Sequence, residues 1–169
     1  TLNQIALAIG KIELPHPIRV GIDGLSASGK TIFADELAET LREKGRNVIR
    51  TGLDGFHNPP EIRHRQGPMS INGYVEDSFD YLSVRKKILE PLGPDGDRRY
   101  ETEIFDHQKG EEQKADLHEA RADSILLFEG VMLFCQELNG FFDFRILVMC
   151  SEKEILERAK VRDLAHFGD

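Results

Sequence analysis

Residues 21–31, GIDGLSASGKT, constrain this chain more than any other stretch. The preceding IRVGID (18–23) is a short β-branched run closed by Gly24, which reads as a buried strand. The following TIFADELAETLREKG (31–45) carries Ile32, Phe33, Leu37, Ala38 and Leu41 at helical spacing, with Gly45 as a stop signal. Between strand and helix, Gly24 to Thr31 satisfies G-x-x-x-x-G-K-[ST]. Glycines let such a loop fold back so that successive backbone N–H groups point inward at phosphate oxygens, and the helix that follows adds the positive end of its dipole. The eight residues Gly24, Leu25, Ser26, Ala27, Ser28, Gly29, Lys30 and Thr31 therefore read as a nucleoside triphosphate cradle. Lys30 is expected to reach the β and γ phosphates, and the Thr31 hydroxyl to ligate Mg²⁺.

The remaining periodicity extends that unit into a layered fold. NVIRTGLD (47–54), SILLFEG (124–130) and FRILVMC (144–150) read as further strands, with a short one near Tyr100 to Phe105. SFDYLSVRKKILEPL (78–92) reads as a helix capped by Ser78. SEKEILERAKVRDLAHF (151–167) reads as another, with Ser151 as cap and Glu154 completing a capping box. Residues 55–77, rich in Gly, Pro and Asn, read as a long binding loop. Strands alternating with helices predict an α/β fold, a parallel sheet covered on both faces. No repeat or boundary divides residues 1–169, so a single domain is expected. Thr1 is not an initiator Met and the chain stops just after a basic helical segment, so a C-terminal part is expected to be missing.

Composition limits the function classes. A formal charge of −8 argues against a general nucleic-acid or membrane binder while permitting a local basic pocket. Cys135 and Cys150 sit in apolar runs, read as small buried thiols in a reducing cytoplasm. There is no apolar run near the length needed to span a bilayer. Neither Cys-x-x-Cys nor zinc-like His spacing occurs. A homo-oligomer is compatible with this composition.

The chemistry narrows next. The chain has no N-K-x-D element of a switch GTPase and no L-S-G-G-Q signature of a transport ATPase. A phosphotransferase remains, with a pure nucleotide-binding scaffold as the other class. Asp54 ends the second strand, at the sheet edge where the Gly-rich loop also lies, and could take the proton of an acceptor hydroxyl; it could equally form a turn before Gly55. Glu129 ends SILLFE and suits a water-mediated Mg²⁺ contact, or simple solubility of a strand end.

Taken together, GIDGLSASGKT, LDGFHNP, GYVEDSFD, PLGPDGDRRYETEIFD and SILLFEGVMLF resemble the uridine kinase, phosphoribulokinase and pantothenate kinase superfamily, over about Ile18 to Phe167. The resemblance implies an NMP-kinase-like P-loop fold, a three-layer sandwich around a mostly parallel five-stranded sheet. It implies an ATP- and Mg²⁺-dependent kinase acting on a hydroxyl of a small metabolite, with a nucleoside as first choice of acceptor. Lys30, Asp54 and Arg162 become the catalytic set, and Thr31, Glu129 and Asp54 the metal set. RAKVRD resembles a lid helix, making 151–169 the start of a lid in which Arg158 and Arg162, one turn apart, could grip the transferring phosphoryl group or simply form a solvated basic face.

On the acceptor side, residues 55–77 become the substrate loop. His57, three residues after Asp54, and Tyr100 are candidates to contact the acceptor, or an ordinary loop histidine and a half-buried strand aromatic. With Asp54, Glu129, Arg158 and Arg162 they complete the expected substrate-binding set. LDGFHNP and Y-x-x-x-x-F-D lie nearer the pantothenate kinase pattern, and the arginines of EIRHRQG (61–67) would suit an acceptor already bearing phosphate or carboxylate. A pantothenate-like or sugar-phosphate acceptor, and a non-catalytic nucleotide-binding regulator, are therefore the alternatives.

Overall fold

The computed structural model describes the backbone of residues 1–106, 111–112 and 116–167, and the side chains of 1–105 and 116–161. Its strands are β1 (Ile18–Gly24), β2 (Val48–Gly52), the two-residue β3 (Arg99–Tyr100), β4 (Phe105–Asp106), β5 (Glu111–Glu112) and β6 (His118–Glu119), then β7 (Ile125–Gly130) and β8 (Phe144–Val148). Its helices are α1 (Leu2–Gly10), α2 (Lys30–Glu43), α3 (Pro60–Arg63), α4 (Ile71–Asp77), α5 (Tyr81–Val84) and α6 (Glu152–Phe167).

The main sheet has the order β2-β7-β1-β8, and every pairing in it is parallel. Alternation along β7 builds the layers, because successive side chains leave a strand on opposite faces. Ile125 and Leu127 join Val20 and Ile22 of β1 under Ala34, Leu37 and Leu41 of α2 and Ile9 of α1. Leu126 and Phe128 join the other layer, with Leu53, Phe56, Val84, Ile88 and Leu89. Both faces of the central strands are thus buried, giving the expected three-layer α/β sandwich. Below the sheet, Arg19 grips Asp143 through Nε at 3.1 Å and Nη2 at 2.9 Å and donates from Nη1 to the Leu89 carbonyl at 3.2 Å, tying β1 to both neighbouring segments. Because the strands are parallel, Gly24, Gly52, Gly130 and Val148 end them at one common edge.

Some expectations need correcting. Among the described residues the main sheet has four strands, one fewer than the resemblance implies; the other short strands form two separate antiparallel pairs, β3-β6 and β4-β5. The polar stretch 55–77 is not all loop. Pro60 at the first helical position begins α3, and Ser70 begins α4 by accepting a 3.0 Å hydrogen bond from the Gly73 amide. Ser78 does not cap the next helix. Asp80 does, accepting from the Ser83 amide at 2.9 Å and its hydroxyl at 2.6 Å, while the Ser78 carbonyl accepts from Asn58. That helix is one α turn followed by a π turn over Arg85–Leu89. The capping box of α6 forms as read, with Ser151 and Glu154 exchanging hydrogen bonds. Both cysteines are free and half-buried.

Candidate active site

Ala27 and Gly29 take left-handed backbone angles, φ 61° and 92°, in the turn that leads into α2. That alternation folds the loop inward, which is how successive amides come to share one anion site. Gly24 must lack a side chain, since a Cβ there would sit 2.6 Å from the Val148 carbonyl and 2.7 Å from Ser28 Oγ. Within the cradle two polar groups are incompletely satisfied. Ser28 Oγ is buried without a hydrogen-bond partner, and the buried Lys30 ammonium donates to the Leu25 carbonyl at a long 3.4 Å. Burying a hydroxyl and an ammonium on such terms is costly unless an anion completes them. The cradle fits a polyphosphate.

Glu129 closes one side. It is the penultimate residue of β7, is 9% exposed, and accepts a hydrogen bond from Thr31 Oγ1 at 3.2 Å. The register places it opposite Gly52 of β2. A Cβ at Gly52 would lie 2.7 Å from the Glu129 carbonyl and 3.2 Å from its Cγ, so the glycine is what lets this side chain lie across the strand tip. The Thr31 hydroxyl and the Glu129 carboxylate thus converge, a donor set of the hard-oxygen kind that suits Mg²⁺. Among the described residues no group of three or more His, Cys, Asp or Glu side chains is arranged to hold a metal unaided.

Asp54 lies two residues past Gly52, in a 3₁₀ turn over Leu53–Phe56, and its side chain is exposed. Its carbonyl is 2.8 Å from His57 Nδ1. A carbonyl can only accept, so the His57 proton in this contact is on Nδ1. The His57 ring packs on Phe79 with centroids 4.6 Å apart.

Lys30, Thr31, Asp54, His57, Glu129 and Arg158 all line one cavity of about 940 Å³, together with loop residues Ser26 to Gly29, Tyr74 and Phe79. Gly24 and Leu25 lie outside its lining; Gly24 packs against Val148 and Ser28, and the Leu25 carbonyl accepts from Lys30 and from the Ser28 amide. Arg158 comes from α6 and donates to the Ser28 carbonyl at 3.2 Å. Arg162 is on the same helix, but its side chain lies outside the described residues. Beside Phe79, at a ring-centroid distance of 6.3 Å, burial pushes the Tyr81 phenol up to about 12, helped by Cys135, Glu137, Tyr74 and Asp23, so it stays protonated.

Two expectations for the acceptor side do not match the structure. Tyr100 does not line the cavity; it is 9% exposed in the core, ring-packed on His118 at 5.5 Å across the β3-β6 pair. Of the EIRHRQG arginines, Arg65 is paired with the buried carboxylate of Asp77, to which Gln66 also donates at 2.8 Å, and neither Arg63 nor Arg65 lines the cavity. Burial pushes the Asp77 carboxyl up, but the Arg65 and Gln66 hydrogen bonds and the Arg65 charge outweigh it and hold it below the usual 3.8. Conversely, Arg50 escapes a reading of β2 as a plain strand, though a charge inside an apolar run was the available signal.

A second cavity, of about 340 Å³, lies at the opposite edge, between the 10–18 segment, Arg46 and Ser124. In parallel sheets ligands bind at the carboxyl ends of strands, which favours the larger cavity.

No family model matches the chain. Among curated proteins, uridine-cytidine kinase B of Dictyostelium discoideum is 31% identical over 154 residues, covering 90% of this chain and 61% of the relative. The uridine kinase of Lactobacillus helveticus is 26% identical over 160 residues, covering 95% of this chain and 73% of the relative. The chain thus spans 61% and 73% of the lengths of these two relatives. Among solved structures, a candidate uridine kinase from Bacillus stearothermophilus superposes with TM-score 0.77 at 21% identity, covering 99% of this chain and 95% of its own. A candidate fructose transport system kinase from a Silicibacter species gives 0.79 at 20%, covering 98% and 82%. These likenesses in structure establish the shared fold. Joined to the uridine kinase relatives and to the cradle and strand-end carboxylate described above, they make the chain similar in sequence to uridine kinases and give it the fold of the P-loop kinases.

Proposed function

We propose that the chain is the phosphoryl-transfer domain of an ATP-dependent kinase whose acceptor is a hydroxyl of a nucleoside, working in the cytoplasm. The carrying observation is that Asp54 and Glu129 share one cavity with Lys30 and Thr31. Phosphoryl transfer needs little covalent help from a protein; it needs positioning and stabilisation of spreading negative charge. Here the amides of residues 26–31 and the Lys30 ammonium hold the β and γ phosphates. Arg158, already against the loop, and Arg162 add positive charge from the lid side. Thr31, Glu129 and Asp54 would hold Mg²⁺, which would supply charge neutralisation for the phosphates. Asp54 accepts the proton of the acceptor hydroxyl as its oxygen attacks the γ-phosphorus and ADP departs.

The acceptor side supports a flat ligand. Phe79, His57 and Tyr74 offer an aromatic wall beside Asp54, a surface on which a nucleobase stacks. Arg65 is paired with Asp77 and neither arginine of that loop lines the cavity, which favours an uncharged nucleoside over a sugar phosphate. An ADP-release assay on the full-length protein, with nucleosides, pantothenate and phosphosugars as acceptors, tests this reading. It predicts ADP release stimulated by a nucleoside. Failure of every acceptor despite nucleotide binding would make the chain a nucleotide-binding regulator instead.

A further inference from the structure

Behind Glu129 lies a charged arrangement that the proposed chemistry does not use. Arg50 of β2 has its guanidinium between two carboxylates: Nε donates to Asp35 Oδ1 at 2.9 Å, and Nη2 is 3.5 Å from Glu129 Oε1. Nη1 donates to the Thr51 carbonyl at 2.8 Å, which fixes the plane of the group. Asp35 is four residues after Thr31 on α2, so the two face the same way. A row results: Thr31, Glu129, Arg50, Asp35. Its cation is largely buried, with 16% of the side chain exposed, and Arg50 is not part of the cavity wall.

The placement matters because Glu129 Oε1 accepts from Thr31 and pairs with Arg50 at the same oxygen. Without the guanidinium, two carboxylates would be left facing each other across the space it fills. Such a pair attracts a divalent cation whether or not nucleotide is present. With it, half of the pair's negative charge is already offset, and the protein by itself offers a metal less. A metal then gains enough only when triphosphate oxygens add their own charge, in keeping with the habit of Mg²⁺ to bind through one or two carboxylates plus substrate phosphates.

We propose that Arg50 is a resident counter-cation for Glu129, occupying the charge position of a metal and making metal binding conditional on nucleotide. This rests on the reading of Glu129 as the metal carboxylate. In this role Arg50 is a positioning residue. A simple brace between α2 and β7 would predict something different, since loss of a brace weakens every ligand.

The test is Mn²⁺ binding to the full-length protein without nucleotide, followed by the electron paramagnetic resonance signal of the free ion. Arg50→Met keeps the aliphatic stem and removes the charge. It is expected to bind Mn²⁺ at least about tenfold more tightly than wild type, the lower bound being the scale of removing a repelling unit charge from beside a divalent ion under nearly aqueous screening. Arg50→Lys is expected to behave as wild type, and Arg50→Met/Glu129→Gln to lose the gain. Equal or weaker Mn²⁺ binding by Arg50→Met, or a gain that survives Glu129→Gln, overturns the proposal. Should Arg50→Met not fold, Arg50→Gln supplies the same comparison. Nucleotide affinity of wild type, measured alongside, reports separately on the kinase reading: its absence sinks that reading while leaving the Mn²⁺ comparison decisive for Arg50.

Discussion

Ser28 and Asp77 illustrate opposite fates of a buried polar side chain. The Ser28 hydroxyl has no partner, although a neutral hydrogen bond typically contributes about 1 kcal/mol and an unsatisfied buried group costs about 1–3 kcal/mol. Ser28→Ala should therefore leave the nucleotide-free protein as stable as wild type, or more so, in chemical denaturation; a clear loss would mean the hydroxyl is satisfied in the free protein. Asp77 is equally buried but fully engaged by Arg65 and Gln66. Its folded-state pKa is depressed, so its contribution is present above the unfolded value and is lost as pH falls through the folded one. Asp77→Asn should thus destabilise the protein at neutral pH, with the gap to wild type narrowing as pH drops below 3.8. Thermal melts across that range decide it, and a gap that holds constant would contradict the ion pair's role.

At the level of elements, the site is made where β2 and β7 end side by side. Gly52 and Glu129 are register partners, and the missing side chain of the first makes room for the carboxylate of the second. Gly52→Ala should push Glu129 from Thr31, destabilising the fold by about 1–3 kcal/mol as overpacking does, and lowering turnover more than nucleotide affinity. Unchanged kinetics would show that the strand tips can separate freely. The four long strands, α2 and the α6 cap were legible because each carries its own local signal: β-branched runs, helical spacing, Gly45 with φ 78° as a stop, Ser151 with Glu154. Less legible were features decided by tertiary partners. Tyr100 looked free to meet a ligand because nothing local says that β6 will place His118 over it. Arg65 looked free because Asp77 is twelve residues away and becomes its partner only when α3 packs on α4. The short helices in 55–77 did have signals, Pro60 and Ser70, that a count of Gly and Pro across the stretch obscured.

For the molecule as a whole, a parallel sheet buried on both faces concentrates its chemistry at one edge. Everything polar that the cavity needs arrives there from separate segments: the loop after β1, the turn after β2, the end of β7 and helix α6. The net charge of −8 makes the local cluster of Lys30, Arg158 and loop amides the more distinctive, set in a cavity that also carries Glu36, Asp54 and Glu129. Among the described residues no helix is long and apolar enough to cross a membrane. The central claim is that this edge joins an anion cradle to a proton acceptor, and Asp54→Asn probes the junction most directly. In the full-length protein, measured with the active acceptor, the substitution should lower kcat by about 10²–10⁴-fold, the usual worth of a positioned general base, while ATP affinity by calorimetry stays within about twofold of wild type. Turnover close to wild type in Asp54→Asn, or loss of ATP binding in step with loss of turnover, would contradict it.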